Sequence, residues 1–144
     1  MGIYGKSDTV VVWSLFQYVS PTGRKAIEDW RNSLALSRRA DFDVFMRNMV
    51  KRSKWEYPEI GGLSGKHLKG FFELRWRSEN VPHRVGGYFP SDDEFLMLIG
   101  WTHNAKKYDP PSALETLRLR KMKLNSGEAS VCEYEIATGR TAER

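Results

Sequence analysis

Within residues 71–78, positions 72–77 alternate between apolar and charged side chains. Phe72, Leu74 and Trp76 occupy one parity, and Glu73, Arg75 and Arg77 occupy the other. A period of two indicates a β-strand with one buried face and one face open to solvent or to a ligand. Because two arginines lie on the open face, this strand is also the first candidate for a functional surface.

Two further strand patterns follow this one directly. Residues 83–89 form the first, in which Gly86-Gly87 indicates a bulge or the close approach of another backbone. Residues 94–101 form the second, and their nearly continuous apolar run is typical of a central strand covered on both faces. Short turns at 78–82 and 91–93 connect the three strands, so we predict an antiparallel meander.

The segment before the meander predicts one strand and two helices. Residues 9–16 are β-branched and aromatic, which favours a buried strand. Ser20-Pro21 has the form of a helix N-cap followed by proline at the first helical position. Apolar residues recur behind it at helical spacing, namely Ile27, Trp30 and Leu34. After a polar break around Ser37, a second amphipathic helix is predicted from the stripe Phe42, Phe45, Met46, Met49 and Val50.

Two loops and a last helix complete the chain. Residues 57–70 are predicted to be a loop with a basic end that contains Lys66, His67 and Lys69. The loop 102–111 leads into a helix over 112–124, whose candidate inward residues are Leu114, Leu117 and Met122. We therefore predict an α+β fold of order β-α-α-β-β-β-α, with a small antiparallel sheet and both N-terminal helices on one face. Residues 1–125 would form one domain, and 126–144 a C-terminal extension with a strand over 131–136 and a frayed tail.

Composition limits the class of protein. The chain has 144 residues, 40% of them hydrophobic, which is enough for one domain with its own core. A net charge of +5 favours a polyanionic partner such as RNA, or an acidic protein. A single cysteine, Cys132, permits no internal disulfide, and no metal-ligand spacing occurs, so we predict neither a metal nor a cofactor. Without an apolar window of membrane length, a cytoplasmic location is expected.

The meander carries a resemblance to a known family. The segment Leu68-Lys69-Gly70-Phe71-Phe72-Glu73-Leu74-Arg75, then Arg84, then the strand that ends Ile99-Gly100-Trp101 resembles the phage-derived, HigB-like branch of the RelE/ParE toxin superfamily. The resemblance implies a RelE-like toxin of a type II toxin–antitoxin system, which cuts messenger RNA, usually at the ribosome. It also implies a cognate antitoxin from a neighbouring gene, expected to be a helix-turn-helix DNA-binding protein.

The same resemblance implies roles for individual residues. Arg84 would bind the phosphate and stabilise the transition state, and Arg75 would be a second such arginine. The basic loop with Lys66, His67 and Lys69 would hold the RNA backbone and supply an acid or a base, for which Lys69 is the candidate. Family members often have Gly-aromatic-x-Lys-Lys after the central strand, where this chain has Gly100-Trp101-Thr102-His103-Asn104, followed by Lys106 and Lys107.

The residue types fit metal-independent cleavage by the neighbouring 2′-hydroxyl. Guanidinium groups at Arg75, Arg77 and Arg84 would grip phosphate oxygens, since they are planar and permanently charged. Because arginine is a poor proton shuttle, a histidine or a lysine is needed, and His103 is the preferred candidate. Tyr88 shares the parity of Arg84 and could stack on a base. The following side chains complete the interpretation: His83 is predicted to be structural, Glu73 to form a salt bridge, and Lys106 and Lys107 to bind RNA.

Two other functions remain open from the sequence alone. The superfamily includes ParE-like proteins that poison DNA gyrase without cutting RNA. A phage-derived relative could also keep the fold and bind RNA or an antitoxin without catalysis. A further hypothesis is that the acidic residues of 126–144 lie over the basic face and weaken RNA binding.

Overall fold

The computed structural model describes residues 12–137, which form one sheet and three helices. The strands are β1 (Ser14–Val19), β2 (Ile60–Gly62), β3 (Phe72–Ser78), β4 (Val81–Ser91), β5 (Glu94–Asn104), β6 (Lys107–Asp109) and β7 (Ser130–Glu133). The helices are α1 (Ala26–Ser33), α2 (Leu36–Val50) and α3 (Ala113–Asn125). The predicted α+β class is confirmed. The element order is β-α-α-β-β-β-β-β-α-β. Two short strands, β2 and β6, were missing from the predicted order of the domain, whereas β7 overlaps the strand predicted over 131–136 in the C-terminal extension.

The seven strands form one mixed sheet of order β2-β3-β4-β5-β1-β7, with β6 paired to β5 outside this path. The meander β3-β4-β5 is antiparallel as predicted. The expectation of a wholly antiparallel sheet is wrong, because β1 runs parallel to β5, with Ser14 opposite Glu94. Two neighbouring parallel strands need a long connection between them. Here that connection consists of α1, α2 and the strands β2 to β4.

The two faces of the sheet are covered by different helices. Trp30 of α1 lies where a side chain at position 100 would stand, so α1 packs beneath Gly100. The core on this face also holds Phe42 and Met46 of α2 against Leu74 and Trp76 of β3. On the opposite face, Leu117 of α3 fills the space above Gly86. The face that carries Glu73, Arg75 and Arg84 is therefore the one shared with α3.

The first helix begins later than the sequence predicts. Ser20-Pro21 forms a turn, in which the Ser20 hydroxyl accepts a hydrogen bond from the Arg24 amide at 3.0 Å, and α1 starts only at Ala26. The free amides at the start of α1 are instead satisfied by the buried side chain of Gln17 in β1. Its amide oxygen accepts from Ile27 N at 3.0 Å and from Glu28 N at 2.9 Å. A strand residue caps this helix, which no local pattern indicates.

The other two helices agree better with the predicted patterns. Helix α2 contains the predicted stripe, with four of its five residues buried and Phe45 partly so, but it begins at Leu36 and includes the polar Ser37. Helix α3 lies where predicted and buries Leu117, whereas Met122 is exposed and not inward as expected. Within residues 12–137 no helix combines the length and the apolar character needed to cross a membrane.

Two segments predicted to be loops contain the additional strands β2 and β6. The predicted loop 57–70 holds β2, which pairs with β3. Strand β5 continues to Asn104 and turns back as β6, inside the predicted loop 102–111. Strand β7 covers Ser130–Glu133 and pairs with β1, whose own range is Ser14–Val19 and not 9–16. The predicted positions 9–11 and the tail from 138 to 144 lie outside the described residues.

Candidate active site

The charged face of β3 forms part of an open groove of roughly 750 Å³. The groove brings together four of the predicted site residues: Arg75, Arg77, Arg84 and His103. Its lining also includes Glu73, Tyr57 and Tyr108. The groove coincides with the strand face that the alternation of apolar and charged residues indicates.

Strand register explains why these residues meet. Arg75 of β3 lies directly opposite Arg84 of β4, and Arg84 lies opposite Trp101 of β5. Side chains of directly paired residues point to the same face of a sheet, as do those two positions apart on one strand. His103, two residues beyond Trp101, therefore joins the face of the two arginines. The arginine and histidine positions follow from antiparallel pairing across three neighbouring strands.

Glu73 connects the two central arginines. Its Oε2 accepts a hydrogen bond from Nε of Arg75 at 2.9 Å, and its Oε1 lies 3.7 Å from Nε of Arg84. All three side chains are mostly shielded from solvent, with exposed fractions of 12% for Glu73, 26% for Arg75 and 21% for Arg84. Both guanidinium groups thus converge on one carboxylate. Each keeps further N–H donors beyond its Nε, since a guanidinium has five.

The environment of Arg84 strengthens its electrostatic effect. Burial lowers the pKa of Arg84, while the nearby Glu73 carboxylate raises it and Arg75 lowers it. An arginine stays protonated in spite of such a shift, because its ordinary pKa lies far above neutrality. A guanidinium removed from bulk water interacts with an anion more strongly than an exposed one. Arg84 also donates from Nη1 to the carbonyl of His83 at 3.1 Å, which fixes the orientation of the group.

His103 and Tyr108 form the other wall of the groove. They are direct cross-strand partners in β5 and β6, with ring centroids 4.6 Å apart in an edge-to-face arrangement. Tyr108 also stacks on the fully buried Trp101, at 5.8 Å between centroids and 26° between ring planes. The sequence interpretation missed Tyr108, because β6 is three residues long and has no pattern of its own. The one weak signal for β6 in the sequence is the run Asn-Ala-Lys-Lys at 104–107. This run forms the tight turn between β5 and β6, with a positive φ of 57° at Ala105.

The structure does not bring the predicted basic loop to the groove. Lys66, His67 and Lys69 are exposed, and none of them lines it. Between them, Leu68 is buried in the cluster that contains Phe71, Tyr88 and Leu117, on the side of the sheet covered by α3. The hydrogen bond from Leu63 N to Phe71 O, at 2.9 Å, closes this loop. The apolar residue determines where the loop sits, and the basic residues remain on its outer side.

Three other predicted RNA-binding residues also lie outside the groove. The side chain of Tyr88 lies on the same face of β4 as Arg84, as predicted. Leu117 packs between the two side chains, above Gly86. Its ring contacts Phe71 edge to face and the ammonium group of Lys121 at 4.7 Å, and burial raises the pKa of its hydroxyl. Lys106 and Lys107 are exposed at the β5–β6 turn. Lys107 pairs with Asn104, so its side chain points to the face of the sheet opposite to that of His103.

His83 lies on the opposite face of β4, as alternation predicts. It is fully buried between Trp30 and Trp76, and its Nδ1 lies 2.9 Å from the carbonyl oxygen of Val81. Burial lowers the pKa of His83. Since the groove is on the other side of the sheet, this histidine supports the core and does not line the site.

The acidic C-terminal segment lies far from the groove where it is described. Strand β7, with Glu133, is at the edge of the sheet next to β1, and β5 and β1 separate it from β4. The described part of this segment therefore does not cover the arginines, and Glu143 lies outside the described residues.

Comparison with protein-family models, with curated proteins and with solved structures finds no match to this chain. The functional inference thus depends on the groove and on the sequence pattern.

Proposed function

We propose that the protein is an mRNA endoribonuclease with a RelE-like fold, which holds the scissile phosphodiester between Arg75 and Arg84. The observation that carries the proposal is the convergence of these two shielded guanidinium groups on one groove, opposite the pair His103 and Tyr108. Two adjacent guanidinium groups, a proton acceptor and an open cleft are what cleavage of an unpaired RNA strand requires.

The chemistry is an in-line transesterification. The 2′-oxygen forms a bond to the adjacent phosphorus while the bond from phosphorus to the 5′-oxygen breaks, which leaves a cyclic phosphate and a free 5′-hydroxyl. Arg84 and Arg75 donate hydrogen bonds to the non-bridging oxygens, whose negative charge they balance in the transition state. The imidazole of His103 accepts the proton of the 2′-hydroxyl, and the Tyr108 hydroxyl donates a proton to the leaving oxygen.

The proposed biological role is that of a toxin silenced by a cognate antitoxin. It follows from the resemblance of residues 68–75, Arg84 and 99–101 to HigB-like toxins. The messenger RNA on a translating ribosome is the proposed substrate, and a small helix-turn-helix protein encoded next to the toxin is the proposed partner. The basic character of the chain, at +5, agrees with an RNA or an acidic protein as the ligand.

The test is controlled expression in a bacterial host. We expect induction to stop translation and growth, and Arg84→Ala to restore both, with cleavage of reporter RNA at least about a hundredfold lower, as for loss of one transition-state donor. Arg24→Ala is the matched control, because Arg24 also binds a carboxylate through Nε, at 2.8 Å, but lies in the exposed turn before α1.

Mapping of transcript ends after induction separates the possible results. Cuts that disappear with Arg84→Ala support the endoribonuclease. Intact transcripts with DNA damage would indicate a gyrase poison, and intact transcripts without growth arrest would indicate a binding protein. Undiminished toxicity of a folded Arg84→Ala protein would contradict the proposal.

A further inference from the structure

Tyr57 is an exposed aromatic side chain of the groove. Its exposed fraction is 77%, although it shares the groove with the half-buried Arg75 and Arg84. The Cζ atom of Arg75 lies over the phenol ring, 5.7 Å from its centroid. Because a flat ring has two faces and Arg75 covers only one, the other remains open beside the proposed phosphate site.

The loop that carries Tyr57 is fixed to the sheet close to this ring. The backbone amide of Arg75 donates to the carbonyl of Glu59 at 2.9 Å. The Glu59 side chain is also bound to Arg52, at 3.1 Å, and β2 begins at the next residue, Ile60. Both contacts are made by Glu59, two residues from Tyr57, and a side chain on an anchored loop loses less conformational entropy when a ligand binds.

We propose that Tyr57 stacks on an unpaired nucleobase next to the phosphate held by Arg75 and Arg84, so that the groove selects single-stranded RNA. This inference rests on the proposed function and adds the residue that binds a base. Stacking on an aromatic ring suits any base, because every base has a π-face. In a duplex the faces of each base are covered by its neighbours, and a base cannot reach Tyr57 without leaving the stack.

The experiment measures binding of a short oligoribonucleotide with a 2′-deoxy nucleotide at the cleavage position, so that it is not cut. We expect Tyr57→Ala to weaken binding of the single strand by about 5- to 100-fold, as for loss of one base stack. Tyr57→Phe should bind like the wild type, and the same RNA in a duplex should bind weakly to all three proteins. Leu36→Ala is the matched control, since Leu36 is 76% exposed but lies on α2.

A second substrate distinguishes stacking from an indirect effect through Arg75. If the base is removed from the nucleotide that stacks, Tyr57→Ala should cause no further loss of affinity. An equal loss on the abasic and the intact RNA would mean that Tyr57 only positions Arg75, and it would overturn the inference. Wild-type affinity of Tyr57→Ala, together with lost binding of Arg84→Ala, would also overturn it and leave the proposed function intact. Absence of RNA binding by the wild type would refute the proposed function itself.

Discussion

Consecutive residues of β4 show how burial decides what a cationic side chain can do. His83 and Arg84 point to opposite faces, and burial lowers the pKa of both. For His83, with an ordinary value of 6.5, the shift favours the neutral form in the core. For Arg84 the same shift leaves the charge in place and reduces its hydration. Of these two consecutive residues, one thus packs in the core and the next places a charge in the groove.

The buried state of His83 predicts a loss of stability in acid. The unfolded chain takes up a proton as the pH falls below about 6.5, whereas the folded chain resists it, so the free energy of unfolding decreases. The decrease is at most about 1.4 kcal/mol for each pH unit below 6.5. Urea unfolding at pH 7.5 and 5.5 should show a smaller difference for His83→Phe than for the wild type. An identical difference for the two proteins would contradict this origin.

The short strand β2 has a larger effect on the site than its three residues suggest. Gly61 of β2 pairs with Glu73 of β3, and the Arg75 guanidinium occupies the space where a side chain at position 61 would begin. The absence of a side chain there lets Arg75 reach both Glu73 and the groove. Gly61 has no positive φ, so the requirement is for space and not for backbone freedom.

We therefore expect Gly61→Ala to displace the Arg75 guanidinium and to leave the fold intact, because the end of a long side chain can move. RNA affinity should fall about tenfold or more, since a hydrogen bond to a charged group contributes about 1.5–3 kcal/mol. Gly62→Ala is the matched control, as its new methyl group would only touch Phe72, at an ordinary 3.7 Å. Affinity measured by fluorescence anisotropy, with unfolding curves for both variants, tests this. Equal affinities of the two variants would exclude the steric role of Gly61.

Local periodicity explains which parts of the site could be predicted. Alternation along β3 and β4 places Arg75, Arg77 and Arg84 on one face and His83 on the other, because side-chain direction in a strand depends only on parity. Tyr57 and Tyr108 could not be found in this way. One is fixed by a loop that is bound to β3, and the other lies in a strand too short to show a period. Lys69 was predicted in the site because it lies in the loop just before β3, but it does not line the groove. The buried Leu68 beside it determines how the loop packs.

At the scale of the whole molecule, charge predicts how RNA binding depends on salt. The chain carries +5, and the groove contributes the three arginines 75, 77 and 84 to it. Each contact of a cationic side chain with a phosphate releases counterions, so the affinity for RNA should fall as salt is added. The mixed sheet presents these charges on one face, remote from the edge that carries Glu133.

For a single strand held by three arginines, the slope of log affinity against log salt should be about −2. Arg84→Ala should make the slope less steep by about 0.7, and Arg24→Ala should leave it unchanged. Titrations at four or more salt concentrations give the slopes. If Arg84→Ala weakened binding with an unaltered slope, the side chain would not be in contact with phosphate.

The parallel pairing of β1 with β5 also has a consequence for synthesis of the chain. Ser14 and its partner Glu94 are about 80 residues apart in the sequence. Because ribosomes add about 5–20 residues per second, several seconds pass between the synthesis of β1 and that of β5. Strand β7, which closes the far side of β1, emerges later still. Arg84 and His103 are likewise translated well after α1 and α2. A partly made chain would then lack the complete groove, and the proposed nuclease would act on the ribosome that makes it only once the nascent polypeptide is almost finished.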